Sequence, residues 1–86
     1  MAGIEIENSK YADVYDNEAT GNTGGILVFD LPIGNKLYGN SVRVFNNRVI
    51  GNNTRNFATN GSFEGGVHIV PPGTGIIILS TSGVEI

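Results

Sequence analysis

The sequence predicts an all-β chain in which short parallel strands stack as a solenoid, and three observations carry the prediction. First, a block of similar residues opens three segments, Gly3–Ile6, Gly25–Val28 and Gly75–Ile78. Second, Ala12–Thr23 aligns with Val42–Asn53 without a gap. Third, apolar residues in these blocks alternate with other residues, and period two is typical of strands rather than helices. Short strands that recur after about 20 residues are typical of a solenoid.

The repeats divide the 86 residues into one partial domain of about two and a half coils. Coil 1 spans about 3–24, coil 2 about 25–74, and a partial coil 3 about 75–86. The middle coil is longer because it carries two loop insertions, near 31–40 and 54–72. We see no end cap at either side of the repeats, so we expect a truncated solenoid.

Stacked coils would place equivalent residues directly over one another, so Val14 should lie beside Val44 and Tyr15 over Phe45. The asparagines at the bends should then form two amide ladders. These ladders are Asn17 over Asn47, and Asn22 over Asn52.

Outward-facing charges alternate in sign between the copies. The positions are Asp13, Arg43 and Glu85 in one column, and Glu18 and Arg48 in another. Cross-strand pairs of opposite charge favour this register weakly, and ordinary solvation of the same charges is an alternative explanation of each position.

The Gly-Ile-x-Ile opening and two longer blocks resemble right-handed parallel β-helix repeat proteins of the pectate-lyase-like superfamily. The longer blocks are Val14-Tyr15-Asp16-Asn17 and Val44-Phe45-Asn46-Asn47, each followed after three further residues by Gly-Asn. The resemblance covers nearly the whole chain and implies a right-handed parallel β-helix. It also implies a parent protein that is extracytoplasmic, either periplasmic or secreted. The superfamily contains polysaccharide lyases, epimerases, hydrolases and non-enzymatic surface proteins, so the resemblance does not select one activity.

Enzymes of that superfamily generally carry clustered charged residues on one outer face, often with calcium, and the corresponding positions here are mostly apolar. We therefore predict no catalytic residues, no cofactor and no metal site. The stacked pair of Asp16 and Asn46 offers only one carboxylate, which is too few for a typical calcium site. Turn formation explains both residues better. The single histidine, His68, has no partner motif and is expected to be structural or exposed.

Composition excludes several kinds of partner. A net charge of −3 and a pI near 4.8 argue against binding nucleic acid or an anionic membrane. No apolar run approaches the length of a membrane-spanning helix, and the first residues do not resemble a signal peptide. There is no cysteine, so neither a disulfide nor a cysteine-based metal site is possible.

Two of the strands are apolar on both faces, which normally means that both faces are covered. Four outward-facing residues of these strands should form an apolar patch: Leu27, Phe29, Ile77 and Leu79. Either the second insertion covers this patch or another copy of the chain does. We predict self-association through the patch, through the open coil ends, or both. Lysine at positions 27 and 29 should then give a monomer or insoluble material.

The sequence thus favours a structural, self-associating β-helix module without a catalytic site of its own. One alternative is a segment of a carbohydrate-active protein related to acidic-polysaccharide lyases and epimerases. Another is an extracellular module that binds a glycan or a protein. Glycan binding would separate the first hypothesis from the other two, and release of uronides from pectin or alginate would separate the enzyme from the binding module.

Overall fold

A computed structural model describes residues 2–31, 41–56 and 70–86. These residues form eight short strands, and no helix occurs among them. The strands are β1 (Ala2–Glu7), β2 (Asp13–Tyr15), β3 (Glu18–Thr20), β4 (Gly24–Phe29), β5 (Val42–Phe45), β6 (Arg48–Ile50), β7 (Thr74–Leu79) and β8 (Val84–Glu85). The predicted all-β class is therefore confirmed.

The strands pair into three parallel sheets with the orders β1-β4-β7, β2-β5-β8 and β3-β6. We refer to β1–β3 as the first layer, β4–β6 as the second and β7–β8 as the third. The observed register places Ile26 between Ile4 and Ile76, and Val14 beside Val44, as the sequence blocks predict. Consecutive strands along the chain thus lie in different sheets, and pairing joins segments that are far apart in sequence.

The sequence separation between paired residues increases after the first insertion, as expected when extra residues are added between equivalent strands. Ile4 pairs with Ile26, 22 residues later, whereas Val14 pairs with Val44, 30 residues later. The difference equals the eight residues by which the first insertion lengthens the middle repeat. Most of both insertions, residues 32–40 and 57–69, lies outside the described part of the chain.

Each bend between strands contains a residue with positive φ, and equivalent residues of different layers share this conformation. The groups are Asn8 and Ser80; Tyr11, Ser41 and Gly83; Asp16 and Asn46; and Gly21 and Gly51. Asparagine, aspartate and glycine are the residues that tolerate the left-handed region best, so turn chemistry explains most of these positions. Ser41, Ser80 and Tyr11 are not of these residue types, and the bulky side chain of Tyr11 makes its φ of 56° strained.

Two apolar clusters lie on opposite faces of the sheet β1-β4-β7. The inner cluster is centred on five buried residues: Val14, Ile26, Val28, Val42 and Val44. The outer cluster is centred on Leu27, Phe29 and Val70. Strand β4 is buried along its whole length because both of its faces are covered, which explains its continuous run of apolar residues.

Candidate functional site

The predicted apolar patch is largely covered by the chain itself. Leu27 is 1% exposed and Phe29 is 6% exposed, and both pack with Val70, which lies at the end of the second insertion. Ile77 and Leu79 are half-buried at the margin of the same cluster. The sequence leaves open whether the second insertion or another copy of the chain covers this patch. The contact with Val70 corresponds to the first of these, and it removes the side chains of Leu27 and Phe29 from solvent. Lysine at those positions would disrupt this cluster rather than probe an interface.

The two asparagine pairs lie one above the other and form the same hydrogen bonds. The backbone N–H and the side-chain amide of Asn17 donate to Oδ1 of Asn47, each at 3.0 Å. The corresponding groups of Asn22 donate to Oδ1 of Asn52 at 3.1 and 3.0 Å. Each second-layer amide in turn donates to a first-layer carbonyl: Asn47 Nδ2 to Val14 O at 2.9 Å and Asn52 Nδ2 to Ala19 O at 2.7 Å.

In both ladders the second-layer asparagine directs its side-chain oxygen and its side-chain nitrogen toward the first layer, so the two ladders have the same polarity. Asn52 is 5% exposed, whereas Asn47 is only half-buried. A buried amide with all of its partners present stabilises the fold, while removal of one partner leaves a buried polar group unpaired. The ladders therefore serve to hold the layers in register.

The outward face of β2-β5-β8 carries an aromatic stack and an ion pair. The rings of Tyr15 and Phe45 are parallel within 7°, and their centroids are 5.1 Å apart. Beside them, Arg43 donates two hydrogen bonds to the carboxylate of Asp13, at 2.8 Å from Nε and 2.7 Å from Nη2. Glu85 occupies the position next to Arg43 on the other side. The guanidinium thus lies between two carboxylate-bearing strands.

The ion pair predicts a weak, acid-sensitive contribution to stability. Hydrogen bonding from Arg43 lowers the pKa of Asp13, so this contribution should be complete above the ordinary aspartate pKa and should disappear as the pH falls through the lower, folded-state value. NMR titration of Asp13 should show this pKa, and Arg43→Met should return it toward the ordinary value. Because both side chains are exposed to solvent, added salt should reduce the shift. An unchanged Asp13 pKa in Arg43→Met would contradict the pairing.

The third layer leaves apolar side chains open to solvent at the β7 and β8 end. Ile78 is 38% exposed and Ile86 is 67% exposed. The second layer is much less exposed. Val28, which pairs with Ile78, is 2% exposed, and Val44, which follows Arg43 in β5, is 1% exposed. The exposure arises because, among the described residues, no strand pairs with the outer edge of β7 or β8.

A polar groove of about 470 Å³ lies where the chain enters β2, β5 and β8. Its walls include the ion pair, Glu85, the backbone corner of Ser41 and Gly83, and the ring of Tyr11. Tyr11 is 81% exposed and adopts the strained left-handed conformation, while Gly83 occupies the equivalent corner of the third layer without strain. Strained residues that project into a groove are found at binding sites more often than elsewhere.

Sequence reasoning did not identify this groove, since the strain at Tyr11 depends on a backbone angle. It also did not identify which end of the stack is more apolar. Within residues 2–31, 41–56 and 70–86, no group of three or more His, Asp or Glu side chains is placed to hold a metal ion. The same residues contain no helix that is long and apolar enough to cross a membrane. His68 lies outside the described residues.

Comparisons of this chain with protein-family models, with curated proteins and with solved structures found no match. Its function must therefore be argued from its own strands and surfaces.

Proposed function

We propose that this chain is a segment of a right-handed parallel β-helix that acts as a structural module and self-associates through the open edges of β7 and β8. The observation that carries the proposal is the jump in exposure from the second layer to the third. Val28 is 2% exposed and its partner Ile78 is 38% exposed. Exposed apolar side chains beside unpaired backbone groups favour pairing with another strand.

The three parallel sheets support the β-helix part of the proposal. Strands that follow one another in the chain lie in different sheets, while strands of successive layers pair in parallel. A chain that winds around one interior would have this connectivity, and the inner cluster would then fill that interior. The right hand is the hand that parallel crossovers almost always adopt.

The charges at the two ends favour a closed dimer over a filament. A head-to-tail stack in register would place Asp13 of a second copy over Glu85, which brings like charges together. It would also place the outward carboxylates of β1, Glu5 and Glu7, over the apolar outward positions of β7. Contact between two β7–β8 ends avoids placing Glu5 and Glu7 over apolar positions, and it buries apolar surface from both copies. Closed two-fold association is also the commonest symmetry of soluble homo-oligomers.

The test is the mass of the native species by size-exclusion chromatography with light scattering. We expect a dimer for the native chain and a monomer for Ile78→Lys/Ile86→Lys, because lysine at the open edge opposes burial of that edge. Ile50→Lys is the matched control, since Ile50 is 52% exposed on β6, which belongs to the sheet β3-β6 and not to the sheets of β7 and β8. A native monomer, or equal dissociation by the control variant, would rule out association through this end.

A second candidate function, glycan binding, is favoured by the groove beside Tyr11. An exposed ring next to carboxylates, a guanidinium and a hydroxyl offers an apolar face together with hydrogen-bonding groups. This is the kind of surface that a sugar ring requires. Glycan binding of this kind requires no catalytic group.

Tyr11→Gly gives a specific test of the glycan candidate. Because glycine relieves the left-handed strain, the variant should keep its fold and gain about 1 kcal/mol of stability. Binding to oligosaccharides of pectin or alginate, measured by calorimetry, should be lost if the tyrosine ring forms the platform. Native chain that binds no such glycan, or Tyr11→Gly that binds as well as the native chain, would remove this candidate. We expect no release of uronides in either case.

A further inference from the structure

We infer that Asn52 is an acceptor for an N-linked glycan only while the chain is unfolded, and that the folded chain protects it from modification. Residues 52–54 read Asn-Asn-Thr and match the acceptor pattern Asn-x-Ser/Thr, in which x is not proline. Such a pattern normally lies on an exposed loop, because the attached glycan is bulky and hydrated. Asn52 is instead 5% exposed, so its burial conflicts with its place in the pattern.

Transfer of a glycan requires free access to the side-chain nitrogen of the acceptor asparagine. This nitrogen attacks the anomeric carbon of an oligosaccharide that is carried on a lipid pyrophosphate. The N–C bond forms as the C–O bond to the pyrophosphate breaks, the lipid pyrophosphate leaves with the electron pair, and the nitrogen loses one proton. The transferase must therefore bring a sugar ring within bonding distance of Nδ2.

In the folded chain, both ends of the Asn52 amide already have partners. Nδ2 donates to the carbonyl oxygen of Ala19 at 2.7 Å and to that of Ile50 at 3.4 Å. Oδ1 accepts from the backbone N–H of Asn22 at 3.1 Å and from its side-chain amide at 3.0 Å. A methyl group added at Gly25 would lie only 3.1 Å from Nδ2, so a sugar ring does not fit on that side.

Hydrogen bonds also hold the rest of the acceptor pattern in place. Oγ1 of Thr54 donates to the carbonyl oxygen of Gly21 at 3.0 Å, and the backbone N–H of Thr54 donates to that of Asn22 at 3.1 Å. The carbonyl oxygen of Asn52 accepts from the N–H of Gly73 at 2.7 Å. A transferase could take up the pattern only after these contacts open. The presence of a glycan at Asn52 would thus report that the chain met the transferase before it folded.

The first test offers the purified, folded chain to an oligosaccharide transferase with its lipid-linked donor and maps the modified asparagine by mass spectrometry. Every chain carries Asn60→Gln, because residues 60–62 hold another acceptor pattern, which lies outside the described residues. A peptide with the sequence of residues 48–56 is the unfolded acceptor. We expect modification of the peptide, and at least about tenfold lower occupancy of Asn52 in the folded chain, because modification then follows the small population of the open form. An unmodified peptide, or equal occupancy in peptide and chain, would overturn the inference.

Arg55→Thr supplies a matched control, because it creates an acceptor pattern one residue later. The asparagine of that pattern is Asn53, which is exposed. The substitution keeps the backbone carbonyl of residue 55 that accepts from Thr23. In the folded Arg55→Thr chain we expect modification at Asn53 and not at Asn52. Modification of neither asparagine would show that the burial of Asn52 is not what protects it, and equal modification of both would show that the ladder gives no protection. Either result would reject the inference.

Discussion

Gly25→Ala is expected to destabilise the fold by about 3 kcal/mol or to prevent folding. Gly25 lies near the start of β4, where the backbone closely approaches Val49 of β6 and Gly75 of β7. A methyl group on its Cα would overlap the side chain of Val49, would lie 2.6 Å from the carbonyl oxygen of Gly75, and would lie 3.1 Å from Nδ2 of Asn52. A backbone oxygen cannot move away without breaking the parallel pairing of β4 with β7. Because a domain of this size is only marginally stable, the loss is a large part of the total.

Gly75→Ala is the matched control, because it makes the same substitution at the equivalent position of the third layer. There the nearest atom to the added methyl group is Cγ1 of Val49, at 3.9 Å, which is ordinary contact. Gly75→Ala should therefore leave stability unchanged or raise it by a few tenths of a kcal/mol through the unfolded state. Urea unfolding followed by circular dichroism compares the two midpoints. If both variants unfold at the same denaturant concentration, the close approach at Gly25 is not present in solution.

Asn52→Asp should destabilise the fold at neutral pH by about 3 kcal/mol, because it places a carboxylate where an amide is required. The amide of Asn52 is buried and donates to the carbonyl oxygen of Ala19 at 2.7 Å. A carboxylate oxygen in that place would face the carbonyl without a proton between them. Burial and the opposing carbonyl should raise the pKa of the introduced aspartate above that of the unfolded chain.

The sign of the pH dependence follows from that raised pKa. Asn52→Asp should be nearly as stable as the native chain at acid pH, where the carboxylic acid can donate to Ala19, and its stability should be lost as the pH rises through the folded-state pKa. Asn47→Asp, at the half-buried ladder, is the control and should show a smaller loss and a weaker pH dependence. Thermal unfolding from pH 3 to pH 8 would measure both. A loss in Asn52→Asp that does not change with pH would mean that Asn52 does not hold the register through this donor.

These two variants probe the same junction from opposite sides. Gly25 allows β4 to approach β6 closely, and Asn52 uses that proximity to tie the bend after β6 to the first layer. The small residue and the amide are therefore parts of one contact between sheets. Neither effect is expected from the composition of a single strand, because both depend on which layers lie above and below.

The register was predictable from the sequence alone because it depends on matching patterns rather than on details of packing. The gap-free alignment of residues 12–23 with 42–53 predicted which residues would pair, and Val14 does lie beside Val44. Alternation with period two also predicted which side chains would face inward, since a slip of one residue would turn every side chain to the other face. The asparagine positions followed from the same alignment.

Only the tertiary structure decided which apolar surface stays open. Leu27 and Phe29 look exposed in the repeat pattern but are buried with Val70, because contacts of an insertion are independent of the repeat that it interrupts. The exposure of Ile78 and Ile86 depends on strand pairing at the third layer. The strain at Tyr11 depends on its positive φ, which Ser41 and Gly83 share at the equivalent corners although their side chains are different. Local patterns specify pairing between equivalent residues, whereas burial depends on everything else that folds onto them.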